Sequence, residues 1–434
     1  MATSLGPAIN EVGVRLFKIA LRSAFVLFVS LVLLFSRDSL NLSPVEELAK
    51  AHLYSLVQWE LENLPDKWLY RMKLLLPGNS LESQDRIDLV LDYFQLGEQE
   101  AGLKSEMERT LLSSPATGSG SLDALEEELA RIERERERMR DGVEEVLEAE
   151  VDAVIVQKGL ALVGALGSLG VHLPPVDFRL DSSPRVLVVS PRDRIEMVQG
   201  VLLRPDITRA EMEALERRVL EEEDLSALVE GTGGVATYPS VISPDSSLRH
   251  ILSTAAHEWL HHYLFFRPLG QAYGKSSEMT SLNETLASIF GQEVGDAVYQ
   301  RFYEATDAPG LPRQGGSVQQ AEEDFDFRVE MRETRLHTEE LLGQGKIEEA
   351  EAYMEQRRQL FAEHGYLIRK LNQAYFAFHG SYGDDPSSIS PVYQQLTTLR
   401  AASPSLGEFV REVSSVSTYA DFLEMLDAEV RGER

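Results

Sequence analysis

Apolar residues recur at gaps of three and four through Leu122, Leu125, Leu129, Ile132, Met139, Val143 and Val146, broken only by Arg136. With charges on every other face, this heptad spacing predicts one long amphipathic helix over residues 122–147. A polar residue on the seam favours packing against the same chain, with a weak homodimer through the long helix as the other use of the stripe. Upstream, Pro44 to Leu112 is helical in pattern, with Trp59, Trp68, Tyr70 and Tyr93 as core, a turn at Pro77-Gly78 and Ser80 or Ser83 as a cap. Ser113 to Ser121 reads as a flexible joint. After Gly159 the texture changes. The β-branched run Arg185 to Arg192 ends in proline and predicts a strand, and Ser226 to Ser243 predicts two short strands about a turn at Gly231 to Gly234. From Pro244 onward the pattern is helical, with an α-hairpin bending at Gly343 to Gly345.

The expected fold class is therefore α+β: a helical region over 38–158, a small β-containing subdomain over 159–245 and a helical core over 246–430. One further element is expected at the start. Ser23 to Ser36 carries no charge, and Ile19 to Ser36 would reach roughly 27 Å at 1.5 Å per residue. Arg15, Lys18 and Arg22 precede this stretch, while Arg37 and Asp38 cancel after it. The pattern predicts a short cytoplasmic head (1–18), an uncleaved transmembrane anchor (19–36) and the remainder outside the cytoplasm.

Charge and cysteine usage narrow the chemistry. Forty-two Lys and Arg against 71 Asp and Glu leave a net charge of −29, which repels phosphate backbones and argues against nucleic-acid binding. Cysteine is absent, so disulfides, thiol nucleophiles and sulfur-ligated zinc are excluded, and a metal site must use histidine and carboxylate. No phosphate-cradling glycine motif and no G-x-S-x-G elbow occurs.

The informative stretch is SLRHILSTAAHEWLHHYLFF, which holds His257, Glu258 and His261 in the order His-Glu-x-x-His. Two imidazoles at i and i+4 lie one turn apart on one helix face, close enough to share a Zn²⁺ ion. Chance would give this pattern in about 0.02 of chains of this length and histidine content. Leu248, Ile251, Leu252, Ala255, Trp259 and Tyr263 form an apolar stripe at 100° per residue, leaving His257 and His261 on the opposite face. Glu258 lies at the edge of that face, where a carboxylate can take a proton from an attacking water. A third ligand is expected from EMTSLNETLASIFGQEVGDAVY: Glu284 faces away from the stripe Leu282, Leu286, Ile289 and Phe290, above a lane of Ala287, Gly291 and Gly295. Glu278 and Glu293 are competing carboxylates, and His262 lies about 100° round the helix from the second ligand.

His-Glu-x-x-His followed by a helix bearing Asn-Glu-x-x-Ala resembles the gluzincin, thermolysin-like zinc metallopeptidases. AAHEWLHHYLF, LNETLASIFGQEVG and LNQAYFAFHGSYGDD are similar to a bacterial family of predicted aminopeptidases, over roughly Val186 to Leu426. The resemblance implies a zincin-like domain with zinc held by His257, His261 and Glu284, Glu258 as general base, and Tyr382, after a helix bearing Asn372, as donor to the oxyanion. It also implies an edge strand beside the metal, where Gly234 and Ala236 would bind a peptide or protein substrate. The chain departs from thermolysin-type sequences at Ser288, where those carry Asp, which leaves the support of one histidine unassigned. The expected function is a membrane-anchored zinc peptidase, with aminopeptidase action implied by the resemblance alone. The alternative is a weak or inactive membrane scaffold working through its long helix.

Overall fold

The computed structural model describes residues 42–60, 63, 67, 83–113, 119–160, 174–304 and 325–431. Helices α1 (Pro44–Ala49), α2 (Ser83–Ser113) and α3 (Ser119–Ile155) come first. Strands β1 (Phe178–Leu180), β2 (Arg185–Pro191) and β3 (Gln199–Leu203), helix α4 (Arg209–Glu223) and strands β4 (Leu225–Gly231), β5 (Gly234–Val235) and β6 (Ser240–Ile242) follow. The rest is helical: α5 (Leu248–Phe265), α6 (Pro268–Gln271), α7 (Ser277–Phe302), α8 (Phe327–Gly343), α9 (Ile347–Glu363), α10 (Gln373–His379), α11 (Val392–Ala402), α12 (Leu406–Val413) and α13 (Tyr419–Val430).

The β-branched run becomes β2, the central strand of the antiparallel order β3-β2-β4. Its side chains alternate between two buried faces, as the two-residue period of a strand requires. Leu187 and Val189 pack with Met212, Leu215 and Val219 of α4, while Val186 and Val188 pack with Leu228 and Ala374 of α10. The glycine-rich turn corrects the sequence reading. Gly231 to Gly234 does not join two paired strands, because β4 pairs with β2 (Val188 opposite Leu228) and β5 belongs to a second sheet. The chain changes sheets there, and two small sheets replace the one expected.

The second sheet has the order β1-β6-β5, with β1 and β6 parallel and β5 antiparallel to β6. Helix α3 closes its β1 edge. Glu148 Oε1 accepts from the Phe178 N–H at 2.9 Å, and Glu144 Oε1 accepts from the Leu180 N–H at 2.8 Å. Four residues of helix rise about 6 Å and two residues of strand about 6.6 Å, so carboxylates one turn apart match alternate amides. These buried charges are balanced. Lys67 Nζ lies 2.5 Å from Glu148 and 3.0 Å from Asp177, and Arg179 Nη1 lies 2.5 Å from Asp141 and 3.2 Å from Glu144.

The C-terminal part of the α3 seam is occupied by its own chain, while Leu122, Leu125 and Leu129 are half-buried. Val143, Val146, Leu147, Val151, Val154 and Ile155 lie in the main core with Tyr93 and Phe94 of α2 and much of α5 and α7. Arg136, which interrupts the heptads, is buried against Glu100 of α2, donates to the Pro244 carbonyl at 3.1 Å and lies over the Tyr93 ring. In the same core Trp259 stacks on Phe290, with ring centroids 5.6 Å apart, and donates its indole N–H to the Pro174 carbonyl at 2.7 Å.

The expectation of a membrane anchor is corrected. No helix among the described residues is long and apolar enough to cross a membrane, and residues 19–36, on which the expectation rests, lie outside them. The transmembrane element, the membrane localisation and the membrane scaffold are therefore withdrawn. The fold is mostly helical, with two small three-stranded sheets.

Candidate metal centre

Helices α5 and α7 bring the expected ligands together. Ser247 caps α5 by accepting from the His250 N–H, and Ser276 caps α7 by accepting from the Met279 N–H. The lane of small residues on α7 lets the two helices touch. A Cβ on Gly295 would lie 2.4 Å from Ser253 Oγ, and one on Gly291 would lie 2.6 Å from the Ser253 carbonyl oxygen and 3.0 Å from His257 Cβ. Only glycine permits this approach, and it carries Glu284 to the histidines.

His257 Nε2 and His261 Nε2 are 3.0 Å apart, and Glu284 Oε2 lies 3.6 Å from the first and 3.5 Å from the second. Tetrahedral ligands at zinc distances of 2.0–2.1 Å sit roughly 3.3 Å from one another, so this triangle fits a single ion. The donor set fits as well, with two neutral nitrogens and one carboxylate oxygen. His261 Nδ1 lies 3.0 Å from Asn283 Oδ1. That oxygen can only accept, so the proton sits on Nδ1 and the Nε2 lone pair faces the centre.

The charges of these groups act on one another. Burial favours the neutral form of Glu284, but the two imidazoles, His261 foremost, keep its carboxyl well below the usual carboxylate range. Burial would lower the His261 pKa, yet Glu284 lifts it to about 9. Glu258 is buried on α5, and burial pushes its carboxyl up, against the pull of both imidazoles. It lies under β5, where a Cβ on Gly234 would be 2.6 Å from Glu258 Oε1.

A pocket of about 490 Å³ opens on this cluster. One wall is the outermost strand of the second sheet, Gly234 and Val235, with Ala236 just after it, and Tyr382 also lines the pocket. The loop carrying Tyr382 is tied to α7 through the Gly383 N–H, which donates to Thr285 Oγ1 at 2.9 Å, beside Glu284. It is tied to β4 through His379, whose ring lies 3.7 Å from Asp385 and 4.0 Å from Glu230. The negative charge of Glu284 and burial raise the Tyr382 pKa well above that of an ordinary phenol, so the hydroxyl keeps its proton. That hydroxyl has no hydrogen-bond partner among the described residues.

The competing residues fall away. Glu293 is engaged by Arg400 at 2.7 and 2.9 Å, Glu278 bonds with its neighbour Ser277, and the His262 ring packs on Tyr238. Asn372 caps α10 and donates to the Ala227 carbonyl, away from the metal ligands. Two residues of the site have no role in the sequence reading. Asn283, quoted there only as part of a motif, orients His261, and Tyr273 donates its hydroxyl to Glu284 Oε1 at 2.7 Å. Asn283 had a signal, since it directly precedes the third ligand. Tyr273 had none, because it sits in the irregular link between α6 and α7. No family model, no curated protein and no solved structure matches this chain, so the likeness to gluzincins rests on its sequence motifs.

Proposed function

We propose that the chain is a zinc-dependent peptidase in which Glu258 serves as general base. The observation that carries this reading is a three-ligand His, His, Glu set sharing one pocket with a buried carboxylate and a phenol that keeps its proton. Three protein ligands are the pattern of catalytic rather than structural zinc, since the fourth position stays open. Zinc, when bound, supplies a Lewis acid that polarises the substrate carbonyl and makes water more acidic. Glu258 takes the proton of the attacking water and returns it to the leaving amine nitrogen. Tyr382 donates its hydroxyl hydrogen to the carbonyl oxygen as negative charge develops there. The backbone at Gly234 to Ala236 offers an extended edge along which a peptide can lie.

Metal content and hydrolysis test the reading together. The full chain is expected to bind one zinc and to cut an internally quenched peptide. His257→Ala is expected to lose the metal, whereas Glu258→Gln keeps it and lowers kcat by roughly 10²–10⁴-fold. A chain that takes up no zinc, or a Glu258→Gln variant as active as its parent, overturns the proposal.

A further inference from the structure

Among the described residues, the three Phe, Tyr or Trp rings most exposed to solvent are Phe265 at 56%, Phe266 at 46% and Tyr273 at 48%, and all three line the pocket over the metal ligands. Phe265 ends α5, about one turn after the second histidine ligand, and Phe266 is its C-cap, with the two ring centroids 5.1 Å apart edge to face. Clustered apolar rings left to water mark a surface that a ligand covers, and here that surface is continuous with the site of the proposed chemistry. The same pocket is also lined by the small residues Gly234, Val235 and Ala236, which take little of its volume.

Charge in the pocket is equally particular. Among the described residues, the carboxylates that line it are Glu258 and Glu284, both committed to the chemistry, and no Lys or Arg lines it. A free α-amino group bound there would need a further carboxylate, and a free α-carboxylate would need a cation. Either charge, desolvated without a partner, costs more than the contact returns.

We infer that the site takes an internal stretch of peptide, with a large apolar side chain beside the scissile bond resting on Phe265, Phe266 and Tyr273, and reads neither chain terminus. This rests on the peptidase reading and narrows it to endopeptidase action, away from the aminopeptidase action that the sequence resemblance implies.

The test compares zinc-loaded full chain on one internally quenched peptide with Phe at its centre, made with free ends and again N-acetylated and C-amidated. The two forms are expected to be cut at the same internal bond with kcat/KM within about threefold, and a peptide with Asp in place of Phe to be cut at least about 100-fold more slowly. Phe265→Ser and Phe266→Ser are expected to lower kcat/KM for the Phe peptide by about tenfold each while leaving zinc content unchanged. Cleavage confined to the free-ended peptide, or equal rates on the Phe and Asp peptides, overturns this inference and leaves the peptidase reading standing. Zinc uptake with no cleavage of any of these peptides overturns both.

Discussion

The Tyr273 hydroxyl donates to Glu284 Oε1 at 2.7 Å, on the carboxylate oxygen opposite the one that faces the two imidazoles. The bond leaves Oε2 as the single oxygen directed at the centre and fixes the plane of the carboxylate. Groups that orient metal ligands in this way typically contribute 10–100-fold to metal affinity. Tyr273→Phe is therefore expected to weaken zinc binding by roughly that factor, measured by competition with a chelator, and to shift the visible spectrum of the cobalt-substituted protein. Equal affinity and an identical spectrum would show that Glu284 needs no such support.

The contact between α5 and α7 gives a second prediction. A side chain at Gly295 meets Ser253 Oγ at 2.4 Å and the Ser253 amide nitrogen at 2.7 Å, so it can be accommodated only by moving a helix. Gly295→Val is expected to destabilise the fold by about 1–3 kcal/mol or more, the cost of overpacking a tight core. Thermal unfolding of the metal-free protein measures this, and an unchanged Tm would mean that the two helices stand further apart.

Glu150 of α3 is buried against Tyr303, which donates to it at 2.5 Å, and burial raises its pKa from 4.5 to about 7. The folded state thus binds a proton more tightly than the unfolded chain. Its contribution is most favourable below about pH 4.5 and is lost as pH rises to about 7, a change on the order of 3 kcal/mol. Glu150→Gln keeps an acceptor for Tyr303 and removes the charge, so it is expected to raise Tm at pH 8 and to make little difference near pH 4. A variant less stable than its parent at pH 8 would contradict this assignment.

His379 behaves in the opposite chemical sense. Burial would lower its pKa, but Asp385 and Glu230 raise it from 6.5 to about 9. The stability it lends to the Tyr382 loop is complete below about pH 6.5 and disappears as pH rises through about 9. The gap in Tm between the parent and His379→Gln is expected to narrow between about pH 6 and about pH 10. A gap that stays constant would mean that the histidine holds the loop by packing alone.

Much of this site was legible because its parts obey helical periodicity. Two ligands and the base fall on one turn of one helix, and Gly291 and Gly295 beneath Glu284 announce a close helix contact. Tyr273 obeys no period, since its partner lies eleven residues away across an irregular link. Sheet pairing was equally hidden. The runs around Gly231 to Gly234 have strand composition, but composition does not say that β4 prefers β2 while β5 prefers β6. β1 has only three residues and takes its outer partners from side chains of a helix, for which no alternation pattern exists. The heptads of α3 gave its helix correctly but not its neighbours, because Arg136 finds its counter-charge on Glu100, thirty-six residues earlier.

The carboxylates of Glu144 and Glu148 have a consequence for how this molecule meets other chains. A sheet margin whose amides are already taken cannot recruit a stray strand, so the β1 side is closed to that kind of growth. Lengthening of this three-stranded layer is left to its opposite margin, at β5, whose Gly234 lies against Glu258.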